Sequence, residues 1–197
     1  MISLEASLRR VASELDDAGV PFALVGGLAV SVRTEPRFTR DADLAVALTT
    51  DAEAEALIYR LRAHGHGTEA IVEQEAAGRL ATVRLTRSSD SAAPVVDLLF
   101  ASSGIESEVV ADADEIELLP HFTIRVATVG HLIALKVLSR DDEDRPQDIV
   151  DLRALLRVAS PSEIERARRS LALIAARGYH RGRDLASEIG RLLPATS

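Results

Sequence analysis

The spacing of hydrophobic residues changes along the chain, and the change predicts an α+β fold. Apolar residues recur at helical spacing over residues 4–15, and Gly19 follows at the position of a left-handed helix cap. A short apolar run at residues 22–25 predicts a buried strand, and residues 28–32 predict a short helix after a glycine turn. Residues 41–48 predict the next strand, so strands and helices alternate at first.

The later segments add strands and then become helical. Thr50 and Glu53 have the spacing of a capping box, which opens a helix that ends near Gly65. Apolar segments follow at residues 70–72, 80–85 and 95–100, and the last two are rich in β-branched residues, which predicts strands there and at 122–126. Helix signals, including a second capping box over residues 160–163, then predict helices at residues 128–137, 146–158, 160–178 and 184–193.

Length and composition predict one core with an appended part. Of the 197 residues, 47% are hydrophobic, which is enough for a sizeable core. Because the pattern becomes helical after residue 127, we predict a core over residues 1–127 and a helical part over residues 128–197 packed against it.

Composition also excludes several classes of site. A net charge of −8 argues against a protein that coats nucleic acid indiscriminately. The chain has no cysteine for disulfides or thiolate metal sites, and we predict that His64 and His66, the one closely spaced histidine pair, lie in a solvated loop. No apolar run is long enough to span a membrane and the N-terminus lacks signal-peptide features, so we predict a cytoplasmic protein without membrane partners.

A pair of glycines followed by two closely spaced aspartates carries the candidate chemistry. On a strand, Asp41 and Asp43 point the same way and can share divalent cations, and two magnesium ions would activate a hydroxyl and neutralise a leaving group. Gly26 and Gly27 let the backbone approach a phosphate at a helix N-terminus. A second Asp-Ala-Asp, at residues 112–114, has no glycine turn before it and is predicted to be solvated surface.

Three other features bear on this site. Asp97 lies inside an apolar strand and needs a charged partner, which a neighbouring metal ion would supply. Lys136, the only lysine, lies on an apolar helix, so its ammonium either reaches solvent or meets an anion. Arginines at positions 33, 37 and 40 lie beside the two aspartates, an arrangement that favours a polyanionic substrate.

The segment VGGLAVSVRTEPRFTRDADLAV resembles the first motif of the nucleotidyltransferase fold shared with polymerase beta, in the form used by AbiEii-type toxins and mycobacterial MenT toxins. HLIALKVLSR and RPQDIVDL resemble that family's lysine motif and its Arg-x-Lys-Asp-x-x-Asp-Leu motif. Gln147 departs from the pattern, because the family usually has Lys there. The resemblance covers most of residues 22–152 and implies a nucleotidyltransferase core with a mixed sheet, followed by a C-terminal helical bundle.

The resemblance also implies roles for individual residues. These are catalysis by Asp41, Asp43, Lys136 and Asp148, magnesium binding by Asp41, Asp43 and Asp97, nucleotide binding by Gly26, Gly27, Arg40 and Lys136, and regulatory phosphorylation of Thr39. Physical chemistry leaves alternatives open for two of them. Asp148 also suits the first turn of a helix, where it complements the helix dipole, and the Thr39 hydroxyl also suits a hydrogen bond to a carboxylate or to the turn backbone.

Together these features predict a magnesium-dependent enzyme that joins a nucleotide to an acceptor hydroxyl and releases pyrophosphate. The resemblance implies that the acceptor is the 3′ end of tRNA, so that translation stops, and that the partner is a cognate antitoxin protein. Two alternatives remain at this stage. One is nucleotidylation of a small molecule such as an aminoglycoside or lincosamide antibiotic, and the other is a non-catalytic regulatory module with the same fold.

Overall fold

The structure, a computed structural model, describes residues 3–74, 78–86, 94–141 and 146–193. Over these ranges the chain forms seven strands and eight helices. The strands are β1 Phe22–Val25, β2 Asp41–Val46, β3 Gly67–Gln74, β4 Arg79–Thr86, β5 Val95–Leu99, β6 Asp114–Leu119 and β7 Phe122–Val126. The helices are α1 Leu4–Asp17, α2 Gly26–Arg33, α3 Asp51–Ala63, α4 Glu106–Ala111, α5 Val129–Ser139, α6 Pro146–Val158, α7 Pro161–Ala176 and α8 Leu185–Leu192.

One mixed sheet contains all seven of these strands, in the order β3-β4-β5-β2-β1-β7-β6. The central strand, β2, pairs antiparallel with β1 and parallel with β5, and β7 runs parallel to β1. All four residues of β1 are buried, as the apolar run in the sequence predicts. The predicted α+β fold with a mixed sheet is therefore confirmed.

Local signals set several helix ends. Gly19 follows α1 with a φ of +66°, as expected of a residue that ends a helix in the left-handed conformation. Thr50 and Glu53 form the predicted capping box, in which each side chain accepts a hydrogen bond from the other residue's backbone N–H.

The second predicted capping box is only half formed. Ser160 caps α7 by accepting a hydrogen bond from the backbone of Glu163. The Glu163 carboxylate, however, accepts a hydrogen bond from the backbone N–H of Gly130 on α5, 2.5 Å away. A tertiary contact between α5 and α7 therefore takes the side chain that the local motif would otherwise use.

The acidic segment at residues 101–120 contains α4 and β6, for which the sequence analysis predicted no element. Strand β6 forms one edge of the sheet and pairs with β7. Its acidic side chains, Asp114, Glu115 and Glu117, are exposed, and charged side chains are typical of strands at a sheet edge. The second Asp-Ala-Asp is surface, as predicted, because Asp112 and Asp114 are both exposed.

The prediction of a solvated loop at His64 and His66 is wrong for His66. That residue is only 6% exposed, and its Nε2 atom lies 2.6 Å from Oε2 of Glu14 on α1. Glu14 is also buried, and its hydrogen bond replaces the water that the imidazole loses. Local sequence does not reveal this partner, which lies 52 residues away.

The C-terminal helices complete the core. Helix α5 packs against α2, α6 and α7, and α8 packs against α5 and α7. Buried residues of these helices, such as Ile133 and Leu152, belong to the same hydrophobic cluster as the buried residues of the sheet. The division at residue 127 stays a prediction.

Candidate active site

The turn from β1 into α2 lies directly against β2. Gly26 has a φ of +65°, and a Cβ atom on it would lie 1.8 Å from Oδ2 of Asp43. A Cβ atom on Gly27 would lie 2.6 Å from Nη2 of Arg37 and 3.5 Å from Oγ1 of Thr39. Gly26 excludes a larger residue, because the Asp43 side chain occupies that space and the backbone is left-handed, whereas at Gly27 the flexible end of Arg37 would have to move. This contact explains why the glycine pair and the aspartates occur together.

These residues form one wall of a cavity of about 520 Å³, and α5 and α6 contribute to another wall. The predicted site residues that line the cavity are Gly26, Gly27, Thr39, Asp41, Asp43, Asp97, Lys136 and Asp148. Arg40 is exposed and does not line the cavity. The structure therefore brings all the predicted site residues together except Arg40.

Lys136 meets anions inside the protein instead of reaching solvent. Its Nζ atom lies 2.6 Å from Oδ1 of Asp148 and 2.9 Å from Oδ2 of Asp151, both on α6. Asp148 also accepts a hydrogen bond from the Ser139 hydroxyl at 3.1 Å. Asp148 therefore does not only complement the helix dipole of α6. Its carboxylate also accepts a hydrogen bond from Lys136, the only lysine of the chain.

Asp151 is a site residue that the sequence analysis did not single out. It is 2% exposed and accepts two hydrogen bonds from the Arg37 guanidinium, at 3.0 and 2.9 Å, and one from Gln147 at 3.1 Å. Burial alone would raise the pKa of Asp151, but the hydrogen bonds from Lys136, Gln147 and Arg37 outweigh burial and hold the pKa below its ordinary value. The signal was the spacing of Asp148 and Asp151, which places both on one helix face.

Asp97 has a charged partner, and that partner is Arg84 on the neighbouring strand β4. The guanidinium donates two hydrogen bonds to the Asp97 carboxylate, at 2.9 and 2.8 Å. These hydrogen bonds raise the pKa of Arg84 above its ordinary value. In the parallel pairing of β2 with β5, Asp97 lies beside Asp43. Arg84 was not predicted, because the sequence does not show which strand lies next to β5.

The described residues contain no group of three or more His, Cys, Asp or Glu side chains that is arranged to hold a metal ion. Asp97 lies beside Asp43 in the sheet and lines the same cavity, so its role as a third metal ligand stays a prediction. Asp41 and Asp43 themselves line the cavity from alternate positions of β2. Two carboxylates, completed by phosphate oxygens and water, are a donor set that suits magnesium, so these two residues fit such an ion.

The three arginines near the aspartates have different environments. Arg33 donates hydrogen bonds to the backbone carbonyls of Val126 and Ala127 and pairs with Asp114, so it ties α2 to the sheet. Arg37 lines the cavity while bound to Asp151, and Arg40 is exposed. The three arginines therefore do not form one basic surface around the site.

Comparison with protein families matches residues 8–195 to the family described as nucleotidyl transferase AbiEii toxin, type IV toxin–antitoxin system. The chain belongs to the AbiEii family. The match spans the sheet and the C-terminal helices, and it confirms the AbiEii resemblance of the glycine, aspartate and lysine motifs. An AbiEii protein is a nucleotidyltransferase, which excludes the non-catalytic alternative, whereas the MenT kind stays a prediction.

Solved structures share the fold of this AbiEii chain at low sequence identity. An antigenic nucleotidyltransferase-like protein from Paracoccidioides brasiliensis has a TM-score of 0.56 at 17% identity, with 95% of this chain and 92% of that chain covered. The antibiotic-resistance factor ANT(2″)-Ia has a TM-score of 0.55 at 16% identity, with 94% and 95% covered. A lincomycin-bound lincosamide antibiotic adenylyltransferase has a TM-score of 0.52 at 13% identity, with 81% and 100% covered.

A sequence search of curated proteins finds no significant match. Within the described ranges, no helix combines the length and the apolar character that crossing a membrane requires.

Proposed function

We propose that this AbiEii protein uses magnesium to transfer nucleotides from a nucleoside triphosphate to the 3′ end of tRNA, and so blocks translation in the cytoplasm. The observation that carries the proposal is the close approach of Gly26 to Asp43 and of Gly27 to the side chains just before that strand, in a cavity that Asp41 and Lys136 also line. This arrangement supports the binding of a triphosphate and its metal ion in the same cavity. The tRNA acceptor itself rests on the motif resemblance.

The glycine turn is the part of the site that suits the triphosphate. Helix α2 begins at Gly26, and its N-cap residue Val25 makes no side-chain hydrogen bond to the first turn. The N–H groups of that turn therefore direct partial positive charge at the cavity, where phosphate oxygens would accept their hydrogen bonds. Lys136 also lines the cavity, where its ammonium is paired with Asp148 and Asp151.

Asp41 and Asp43 would hold the magnesium. When bound, the ion would neutralise the negative charge that develops on the departing pyrophosphate. The acceptor hydroxyl attacks the α-phosphorus, the bond from that phosphorus to the bridging oxygen breaks, and pyrophosphate leaves with the bond's electron pair. The hydroxyl proton goes to a carboxylate of the cavity, and we assign this role to Asp41, which lines it. The protein accelerates such a reaction mainly by positioning the two substrates and by neutralising charge in the transition state.

A small cationic acceptor is the second candidate. Among the ionisable residues that line the cavity, Asp41, Asp43, Asp97 and Asp148 face three cations, which are Arg37, Lys136 and Arg181. This excess of carboxylates is what a cationic antibiotic would favour. Two of the structures that share the fold are antibiotic-modifying or antibiotic-resistance proteins.

A labelling experiment separates the two acceptors. The protein is incubated with magnesium, each α-labelled nucleoside triphosphate in turn, and either total tRNA or a panel of hydroxylated antibiotics. We expect label in tRNA, and we expect Asp41→Asn and Asp43→Asn to lose at least about 100-fold in rate, as removal of one essential electrostatic group typically does. Label in an antibiotic and none in tRNA would contradict the tRNA proposal and leave the enzyme class intact.

The type IV toxin–antitoxin system named in the family description supports an antitoxin as the partner of this protein. We propose that the antitoxin silences the enzyme through phosphorylation of Thr39. The hydroxyl of Thr39 lines the cavity, next to the glycine turn where the triphosphate would bind. Occlusion of the cavity by the antitoxin is the alternative.

A further inference from the structure

Phe38 is a large apolar side chain that the fold leaves in solvent. It is 82% exposed, in a chain with four Phe, two Tyr and no Trp. Single exposed apolar residues are common on proteins, so exposure alone carries no argument. The position of Phe38 in the chain is what matters here. The residues on either side of it, Arg37 and Thr39, both line the active-site cavity. Phe38 therefore belongs to the segment that borders the site, and its exposed ring contributes nothing to the core.

A cation accompanies this ring. Arg40 is exposed, lies two residues after Phe38, and directly precedes Asp41. Arg33 and Arg37 differ from it, because both form ion pairs with carboxylates of the fold. The segment thus presents an aromatic face and a guanidinium to solvent, immediately before the predicted metal ligands.

We propose that Phe38 is a stacking platform for a base in the single-stranded 3′ end of the acceptor RNA, and that Arg40 contacts its backbone phosphate. This inference rests on the proposed function. The acceptor hydroxyl must enter the cavity to reach the α-phosphorus, so the nucleotides that precede it lie at the rim. Aromatic rings and guanidinium groups are the usual partners of unpaired bases and phosphates there.

The acceptor suits this position better than the incoming nucleotide does. The features that suit a triphosphate, Gly26, Gly27 and Lys136, line the cavity itself, whereas Phe38 does not. A nucleotide held by those groups lies inside the cavity. A strand that enters from solvent passes the rim, where Arg40 offers the opposite charge to its backbone.

The first test compares aromatic variants. Binding of a single-stranded RNA with the 3′-terminal sequence of tRNA is measured by fluorescence anisotropy without nucleotide, and the KM values for tRNA and for the nucleoside triphosphate are measured by transfer. We expect Phe38→Ala to raise the RNA Kd and the tRNA KM by about 5- to 150-fold, which corresponds to a stacking energy of ~1–3 kcal/mol. Phe38→Trp should retain binding, and Phe38→Leu should behave like Phe38→Ala.

Tyr59 provides a matched control. It is 79% exposed, but it lies on α3 beside a separate depression lined by residues such as Glu55 and Arg62. Tyr59→Ala should leave the RNA Kd and both KM values unchanged. In the Phe38 variants the KM for the nucleoside triphosphate should change less than about twofold, since stacking with the acceptor does not contribute to that step.

The second test concerns Arg40. A phosphate contact releases counterions, so the slope of log K against log salt for wild-type binding should weaken by about 0.7 in Arg40→Ala, the value for one phosphate of a single strand. An unchanged slope would contradict the phosphate contact.

Other outcomes separate the inference from the proposed function. Active wild-type enzyme with an unchanged tRNA KM in Phe38→Ala would overturn the stacking role. Loss of antitoxin binding in Phe38→Ala with full RNA binding would also overturn it, and would identify the ring as a protein contact. If wild-type enzyme labels no tRNA, the proposed function fails, while the anisotropy comparison still decides whether Phe38 stacks on RNA.

Discussion

At the scale of single residues, Thr39 shows how closely the parts of the site are packed. Its hydroxyl donates a hydrogen bond to the backbone carbonyl of Asp41 at 3.2 Å. The same oxygen and the Arg37 guanidinium both lie near the position of a Cβ atom on Gly27. A phosphate on Thr39 would therefore lie between the glycine turn and the aspartates, where the triphosphate and its metal are proposed to bind.

We predict that a negative charge on Thr39 stops nucleotide transfer. A phosphate adds about −1.5 to −2 charges beside two carboxylates and would repel the triphosphate. Thr39→Glu should lose at least about 100-fold in rate, whereas Thr39→Ser, which keeps the hydroxyl, should remain active. Transfer to tRNA measures both, with the exposed Thr123→Glu as the control for an added charge.

Mass spectrometry of the protein co-expressed with its antitoxin tests the regulatory part. A phosphate on Thr39 of the silenced enzyme is the expected result. An unmodified Thr39 in a silenced enzyme would contradict it and would favour occlusion of the cavity.

At the scale of elements, Asp151 connects three parts of the chain that are distant in sequence. On α6 it binds Lys136 of α5 and Arg37, which precedes β2. Asp148 lies near Asp151 on the same helix. It binds Lys136 but not Arg37. The wall of the cavity that carries Lys136 is thus fixed to the segment that carries the aspartates by buried charge pairs.

We predict that Asp151→Asn lowers both stability and activity. Breaking a buried ion pair leaves its partners without compensation, and this typically costs ~3–5 kcal/mol in the free energy of unfolding, which urea denaturation measures. Glu165→Gln is the control, because it breaks the exposed pair of Glu165 with Arg169, and such pairs contribute ~1 kcal/mol or less. Equal losses in the two variants would show that Asp151 is not a structural anchor.

At the scale of the whole molecule, a buried histidine lies on α5, which packs against α7. His131 is 2% exposed, and its Nδ1 atom lies 3.2 Å from the Thr128 hydroxyl. Burial lowers the pKa of His131 below its ordinary value of 6.5, and the neighbouring charges of Asp112, Arg166, Glu163 and Glu108 modify the shift. The folded protein therefore keeps this imidazole neutral to a lower pH than the unfolded chain does.

We predict that His131 contributes to a loss of stability at acid pH. Above about pH 6.5 neither state protonates it, and as the pH falls towards the folded pKa the unfolded chain takes up the proton first, which destabilises the fold. The difference in Tm between pH 7.5 and pH 5.5, measured by circular dichroism, should be smaller for His131→Gln than for wild type. His121→Asn, at an exposed position, is the control. An equal difference in wild type and His131→Gln would contradict the assignment.

Some of this structure could be read from local sequence, because its causes are local. Strand β1 has the predicted bounds, Gly19 ends α1 through its own backbone conformation, and the Thr50 capping box forms within four residues. Five of the predicted site residues come together for a related reason, because the glycine turn and the Asp41–Val46 strand are joined by a short connection: these are Gly26, Gly27, Thr39, Asp41 and Asp43. Asp97, Lys136 and Asp148 reach the same cavity from β5, α5 and α6, which the packing of distant elements places there.

The partners of the charged residues were decided only by the tertiary structure. Asp97 pairs with Arg84 because β4 lies next to β5, and Arg37 pairs with Asp151 although 114 residues separate them. The Glu163 carboxylate accepts a hydrogen bond from Gly130 instead of completing its capping box, and His66, just before β3, is paired with Glu14 on α1. Periodicity fixes which side of an element a residue occupies, but a buried charge binds whichever opposite charge the packing of distant elements places beside it.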